Sequence, residues 1–258
     1  MSDFFDELAI DAKETINSGY YQVFAPKFAV YLSLKKAILE CKKNPVITEV
    51  KAASPTLGII RKSVDAGEVA LAMAKGGATA ISVLTEPKHF NGSLNALMEV
   101  RRAVNLPILM KDIILSPTQV DTAEQIGANA ILLIQTLFDR GYAQASVEKM
   151  ITLAHERGLE VLLEVHTETE FQFAITTDAD MIGINNRDLA TLQTDLNVTK
   201  KILEKNALKG LTVVSESGIE TPSDVRFLSE CGASAFLIGS SIMLAKNVEE
   251  KVMEFVDA

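Results

Sequence analysis

The sequence predicts an α/β protein folded as a closed (β/α)8 barrel, the TIM barrel, with an N-terminal helical extension. Three observations carry this. Short β-branched runs alternate with stretches of helical period from residue 46 to the end, the pattern of parallel strands joined by helices. Eight such strands can be counted, each followed by a helix. Finally, "GGATAISVL", "IGANAILLI", "TDADMIGIN" and "CGASAFLIG" recur at a spacing of roughly 50 residues, about two βα units. The copies fall on even-numbered strands, as a barrel of repeated units requires, whereas an open doubly wound sheet reverses its strand order midway.

The strands are expected at 46–51, 79–84, 107–111, 130–135, 160–165, 180–185, 211–215 and 235–239. Helices are expected near 67–75, 93–103, 117–126, 143–157, 168–176, 196–205, 222–230 and 248–256. Ser116-Pro117 and Thr221-Pro222 each set a capping hydroxyl before a proline at the first helical position. Residues 1–44 precede the first strand, and "FAPKFAVYLSLKKAILE" within them reads as amphipathic and helical, an extension packed on the barrel. No linker or low-complexity stretch interrupts the chain, so residues 1–258 read as a single barrel domain.

Composition bounds the function. A net charge of -9 argues against a nucleic-acid binder, which needs clustered Lys and Arg along the phosphate backbone. Cys41 and Cys231 are far apart and outside any C-x-x-C spacing, so neither a disulfide framework nor a thiolate metal site is expected, and a cytoplasmic setting fits. His89, His155 and His166 are scattered, without the paired spacing of a metal site. No apolar run is long enough to span a bilayer, and the acidic start "MSDFFDELAIDAKE" is no signal peptide. The expectation is a compact soluble protein without metal, membrane or nucleic-acid partner.

Catalytic groups of such barrels sit at the C-terminal ends of the strands. Here polar residues recur at those ends: Glu49 and Lys51 on the first strand, Lys111 on the third, Glu164 on the fifth, Asn185 and Arg187 on the sixth. Glu216 and Ser217 end the seventh, and Gly239 and Ser240 the eighth. One such residue could be a solvated loop start. A ring of them is a different matter, because burying several charges in one cavity is costly and adds little stability.

The loops "SESGIETP" and "IGSSIM" place Gly218, Gly239 and Ser240 where backbone N–H groups can converge on a phosphate, as they do in many barrels after strands seven and eight. Lysines among carboxylates are held charged and can donate protons, and a glutamate in an apolar mouth can act as acid or base. The combination points to proton-transfer chemistry on a phosphorylated small molecule. No Walker loop, G-x-G-x-x-G turn or catalytic-triad order competes with it.

"ITEVKAASP", "SVLTEPKHFNGS", "ILMKD", "LLEVH", "IGINNRDL", "VSESGI" and "AFLIGSS", in this order, resemble the indole-3-glycerol-phosphate synthase family of tryptophan biosynthesis. The resemblance runs from about Pro45 to the C-terminus. It implies a carboxy-lyase that closes 1-(2-carboxyphenylamino)-1-deoxyribulose 5-phosphate to indole-3-glycerol phosphate with loss of carbon dioxide and water, and it implies no cofactor and no metal. By the same resemblance Lys111 is the acid that protonates the ketone oxygen, Glu164 and Lys51 share acid and base roles in dehydration, and Glu49 orients the cluster.

Asn185 and Ser217 match groups that hydrogen-bond the sugar hydroxyls and the reacting centre, with Glu216 and Arg187 as their support. Lys51 also matches a residue reaching the substrate's anionic groups, beside Ser54, Gly218, Gly239 and Ser240. Phe90, Leu132 and Leu189 match the apolar slot for the aromatic ring. One departure is Ile113 in "LMKDII", where the family commonly has Phe. The readings that compete are another phosphosugar barrel, such as phosphoribosylanthranilate isomerase, and a non-catalytic phosphosugar-binding barrel. Oligomeric state and association with other tryptophan-pathway enzymes are open at this level.

Overall fold

The structure is a computed structural model that describes residues 3–24, 27–54, 56–61, 65–188, 191–207 and 210–258. The chain begins with helices α1 (Phe4–Asn17) and α2 (Leu34–Glu40), then strand β1 (Val46–Val50) and a small hairpin of β2 (Ala53–Ser54) and β3 (Gly58–Ile59). There follow α3 (Ala66–Lys75), β4 (Ala80–Leu84), α4 (Leu94–Ala103), β5 (Ile108–Lys111), α5 (Pro117–Gln125), β6 (Ala130–Ile134), α6 (Gln135–Asp139), α7 (Val147–Glu156) and β7 (Glu160–Val165). The chain ends with α8 (Glu168–Ala174), β8 (Met181–Asn185), α9 (Asn197–Lys205), β9 (Val213–Glu216), α10 (Pro222–Glu230), β10 (Ala235–Ile238), α11 (Ser240–Met243) and α12 (Val248–Val256).

Eight strands, all parallel, close into a barrel in the order β1-β10-β9-β8-β7-β6-β5-β4. Closure is made by β1, which pairs with β4 on one side and with β10 on the other. Each barrel strand matches an expected one to within two residues at either end. Their near-continuous apolar runs are explained by burial on both faces: Val46, Ile81, Val83, Ile131 and Phe236 meet the helices, while Ile47, Leu109, Leu162 and Val214 fill the barrel interior. Burial of each such side chain is worth roughly 1.5–3 kcal/mol.

Helix starts follow the capping chemistry read from the sequence. Ser116 and Thr221 both form capping boxes, with Gln119 and Asp224, and each is followed by proline. The glycines that open three of the four repeats, Gly77, Gly127 and Gly232, have φ of 94°, 88° and 103°. That left-handed turn reverses the chain from helix into strand at little cost only for glycine.

The extension differs from expectation. "FAPKFAVYLS" is not helical in its described residues; helix α2 takes up only the last seven residues of the apolar stretch. The described residues of 22–33 run over the surface, with carbonyls taken by side chains of the barrel: Gln125 Nε2 donates to Val23 O and Asn129 Nδ2 to Val30 O, at 2.9 and 2.8 Å. Tertiary hydrogen bonds here replace the helical ladder that the apolar periodicity suggested. The two helices flank the barrel interior at opposite ends. Phe4 and Leu8 of α1 line the cavity at the C-terminal ends of the strands, whereas α2 docks at the N-terminal end, where Lys35 N donates to Glu160 at 3.0 Å.

Candidate active site

A cavity of about 830 Å³ opens at the C-terminal ends of the strands. It is lined by Glu49, Lys51, Ser54, Phe90, Lys111, Leu132, Glu164, Asn185, Arg187, Ser217, Gly218, Gly239 and Ser240, all expected from sequence. Glu216 is fully buried directly beneath it, in contact with Lys111. Leu189 lies outside the described residues.

The odd-numbered barrel strands each send one charged residue inward at the same height. Lys111 on β5 faces Glu49 on β1, Glu164 on β7 and Glu216 on β9, with N···O separations of 3.8, 3.8 and 2.5 Å. A layer that is aliphatic in the barrel below is thus one ammonium among three carboxylates. Lys51, one turn of the pleat above Glu49, lies 2.7 Å from it.

Charge in this layer is set by burial and by neighbours. Burial opposes the charge on Lys111, but the carboxylates of Glu216, Glu49 and Glu164 outweigh it and hold the ammonium above the ordinary lysine value. Burial likewise opposes ionisation of Glu49, yet Lys51 and Lys111 hold it below the usual carboxylate range. For Glu216 burial wins: its carboxyl is pushed up to about 7, with Lys111 opposing and Glu164 adding to the rise. For the fully enclosed Glu216 the neighbouring ammonium groups do not fully offset the cost of burial.

Asn185 donates from Nδ2 to Glu164 Oε1 at 3.1 Å and accepts the Arg187 amide, which ties the end of β8 to the charged layer. Arg187 Nη1 is anchored on the carbonyl of Leu192 at 2.7 Å. Ser217 follows β9 with φ 67° and Gly218 with φ 78°, two successive left-handed residues at the cavity's edge. A Cβ at Gly239 would stand 2.5 Å from Glu49 Oε1 and 3.0 Å from Lys51 Nζ. The glycine is what lets Lys51 lean over this end of the cavity.

The opposite wall is apolar. Phe90, Leu132, Ile134, Ile113 and the α1 residues Phe4 and Leu8 line it. Ile113 is nearly fully buried there, so an aliphatic side chain fills the place of the family's usual ring. Among the described residues Glu7, Asp11 and His89 bring potential metal-ligand atoms within 4.8 Å of one another. Asp11 is already engaged by Lys88 at 2.8 Å and His89 at 2.7 Å.

Several supporting residues were not singled out from sequence. Glu86 is buried and accepts the amides of Lys88, His89 and Phe90, which shapes the loop carrying Phe90. Asn186 donates to Ser215 Oγ and to the carbonyls of Glu216 and Ser217, and its oxygen accepts from the amide and hydroxyl of Thr199. It holds the strained turn at Ser217 in place. Asp112 receives Thr85 Oγ1 at 2.5 Å and Tyr21 at 2.9 Å, joining the extension to the strand that bears Lys111. The doubled Asn in "INNR" and the Asp after Lys111 were the available signals.

A family model described as indole-3-glycerol phosphate synthase matches residues 10–255. A curated relative of that description from Methanocaldococcus jannaschii is 43% identical over 99% of this chain and 90% of its own length. Another, from Methanopyrus kandleri, is 39% identical over 98% of both chains. Among solved structures, a thiamine phosphate pyrophosphorylase from Pyrococcus furiosus superposes with a TM-score of 0.60 at 20% identity, covering 84% of this chain and 95% of its own. That likeness reflects the barrel fold alone.

Proposed function

The chain belongs to the indole-3-glycerol phosphate synthase family, and on that premise we propose how its residues divide the reaction. The substrate, 1-(2-carboxyphenylamino)-1-deoxyribulose 5-phosphate, loses carbon dioxide and water on closing to indole-3-glycerol phosphate. Its phosphate sits at the turns of Gly218, Gly239 and Ser240, with Lys51 and Ser54 alongside; its aromatic ring lies against Phe90, Leu132 and Ile113. Leu189 belongs to the same apolar slot by resemblance.

Lys111 acts as general acid. As the ring carbon bearing the carboxylate attacks the ketone carbon, Lys111 protonates the oxygen that becomes a hydroxyl. Carbon dioxide then departs, and the electrons of its bond restore the aromatic ring. In the dehydration the hydroxyl leaves with a proton supplied by one group, while the neighbouring CH2 gives a proton to another. Glu164 and Lys51 share these two transfers, with Glu49 fixing Lys51 and Asn185 fixing Glu164.

Ser217 hydrogen-bonds the reacting centre, and Glu216 and Arg187 support the layer. The observation that carries this reading is the single ammonium of Lys111 within 4 Å of three carboxylates in a cavity with one apolar wall and one anion-binding end. A lysine so held stays charged and aimed, as an acid near neutral pH must be. Free thiols at Cys41 and Cys231 support a cytoplasmic setting, and among the described residues no helix is long and apolar enough to cross a membrane.

The test is a direct assay with the carboxyphenylamino deoxyribulose phosphate, following indole absorbance and released carbon dioxide together. Stoichiometric release of both is expected. Consumption of substrate without carbon dioxide would overturn the reading.

A further inference from the structure

Gly183 lies in the middle of β8, paired in register with Glu164 on β7 and Val214 on β9. Glycine weakens a strand interior, so it calls for a close approach by something else. Here that something is Glu216. A Cβ at position 183 would fall inside the van der Waals envelope of Glu216 Oε1, 3.3 Å from Glu216 Cδ and 3.4 Å from Leu162 Cδ1.

The carboxylate therefore occupies the volume that any other residue at 183 would fill. Among the described residues its buried Oε1 has no hydrogen-bond partner and is held by packing, while Oε2 is 2.5 Å from Lys111. We propose that Gly183 is a positioning residue: its missing side chain is the niche that seats Glu216 Oε1 and so keeps Oε2 on the Lys111 ammonium. The inference rests on the reading of Lys111 as the acid of the proposed function.

An added methyl would meet the free end of a flexible side chain, not backbone, so the barrel has no reason to unfold. Glu216 would swing toward the cavity instead, and Lys111 would settle between Glu49 and Glu164, now 3.8 Å away on either side.

The experiment compares Gly183→Ala, Glu216→Asp and the double variant by crystal structure, melting temperature, kcat and KM. Gly183→Ala is expected to fold, to separate Glu216 from Lys111, and to lower kcat by about tenfold or more with KM within about threefold, the pattern of a lost transition-state interaction. Shortening the acid should restore room: adding Glu216→Asp to Gly183→Ala is expected to recover at least about threefold of kcat, although Glu216→Asp alone lowers it, a coupling that independent sites do not show.

A Gly183→Ala structure with Glu216 still seated on Lys111 overturns the proposal whatever the rates. A kcat loss that Glu216→Asp does not relieve overturns it as well. A displaced carboxylate with normal kcat leaves the niche standing and removes the Lys111–Glu216 pair from the catalytic reading.

Discussion

Lys111 Nζ and Glu216 Oε2 lie 2.5 Å apart across the barrel, one at the end of β5 and the other at the end of β9. The pair joins a cation held charged by its carboxylate neighbours to a carboxyl whose ionisation burial opposes. Lys111 thus has a partner that can yield without leaving it unpaired, because Glu49 and Glu164 stand behind it.

Replacement of Lys111 by alanine removes the proposed acid and leaves three carboxyl groups facing one another. We expect kcat to fall by at least ~10²-fold, the lower range for general acid–base groups, measured as indole formation at saturating substrate. Near-normal turnover would move the acid role to Lys51.

Ser240→Ala acts on the anion-binding end. Because a phosphate contact holds substrate and transition state alike, KM should rise by about tenfold, with kcat within about threefold. A fall in kcat at constant KM would place Ser240 at the reacting centre.

Asp112 ties pH to stability. Burial pushes its carboxyl up to about 6 from 3.8, against the hydrogen bonds of Thr85, Tyr21 and the Ile113 amide. A carboxyl raised on folding is tolerated below the unfolded value and penalises the fold increasingly as pH climbs through the folded one, here by up to about 3 kcal/mol. Asp112→Asn removes the charge and keeps an acceptor for Tyr21 and the Ile113 amide, with Thr85 Oγ1 turned to accept from Nδ2. Its stability relative to the wild type, from urea unfolding, should therefore improve between pH 4 and pH 8; a constant difference would show that Asp112 does not titrate in that range.

Asn186→Ala takes from the buried Thr199 amide the side-chain oxygen it donates to, while Thr199 Oγ1 keeps Ser215 Oγ at 2.9 Å. The cost should be about 1–3 kcal/mol, read as a melting temperature lower by roughly 2–12 °C for a chain of this size. Release of the left-handed Ser217 should also lower kcat. Full activity at assay temperature would separate the turn from catalysis.

What the sequence made legible follows from what repeats along it. Strand ends such as Glu49, Lys111 and Glu164 stand out because a charge closes an apolar run, and in this fold a strand end is a position in space. Gly183 and Asn186 do not stand out: one works by having no side chain, the other by bonds to backbone two elements away. The described residues of 22–33 depart from the helical reading because their carbonyls are taken by Gln125 and Asn129, distant partners that no local period encodes. The short helices α6 and α11 and the β2–β3 hairpin were missed for a simpler reason, being too brief to establish any period.

The pairing of β1 with β10 has a further consequence. Val46 meets Phe236 and Thr48 meets Ile238, so the strand bearing Glu49 and Lys51 waits for nearly the whole chain before its second neighbour exists. All four members of the charged layer precede β10 in the chain, but the ring of strands around them closes only once β10 has left the ribosome. Turnover is thereby expected to report that the barrel has closed.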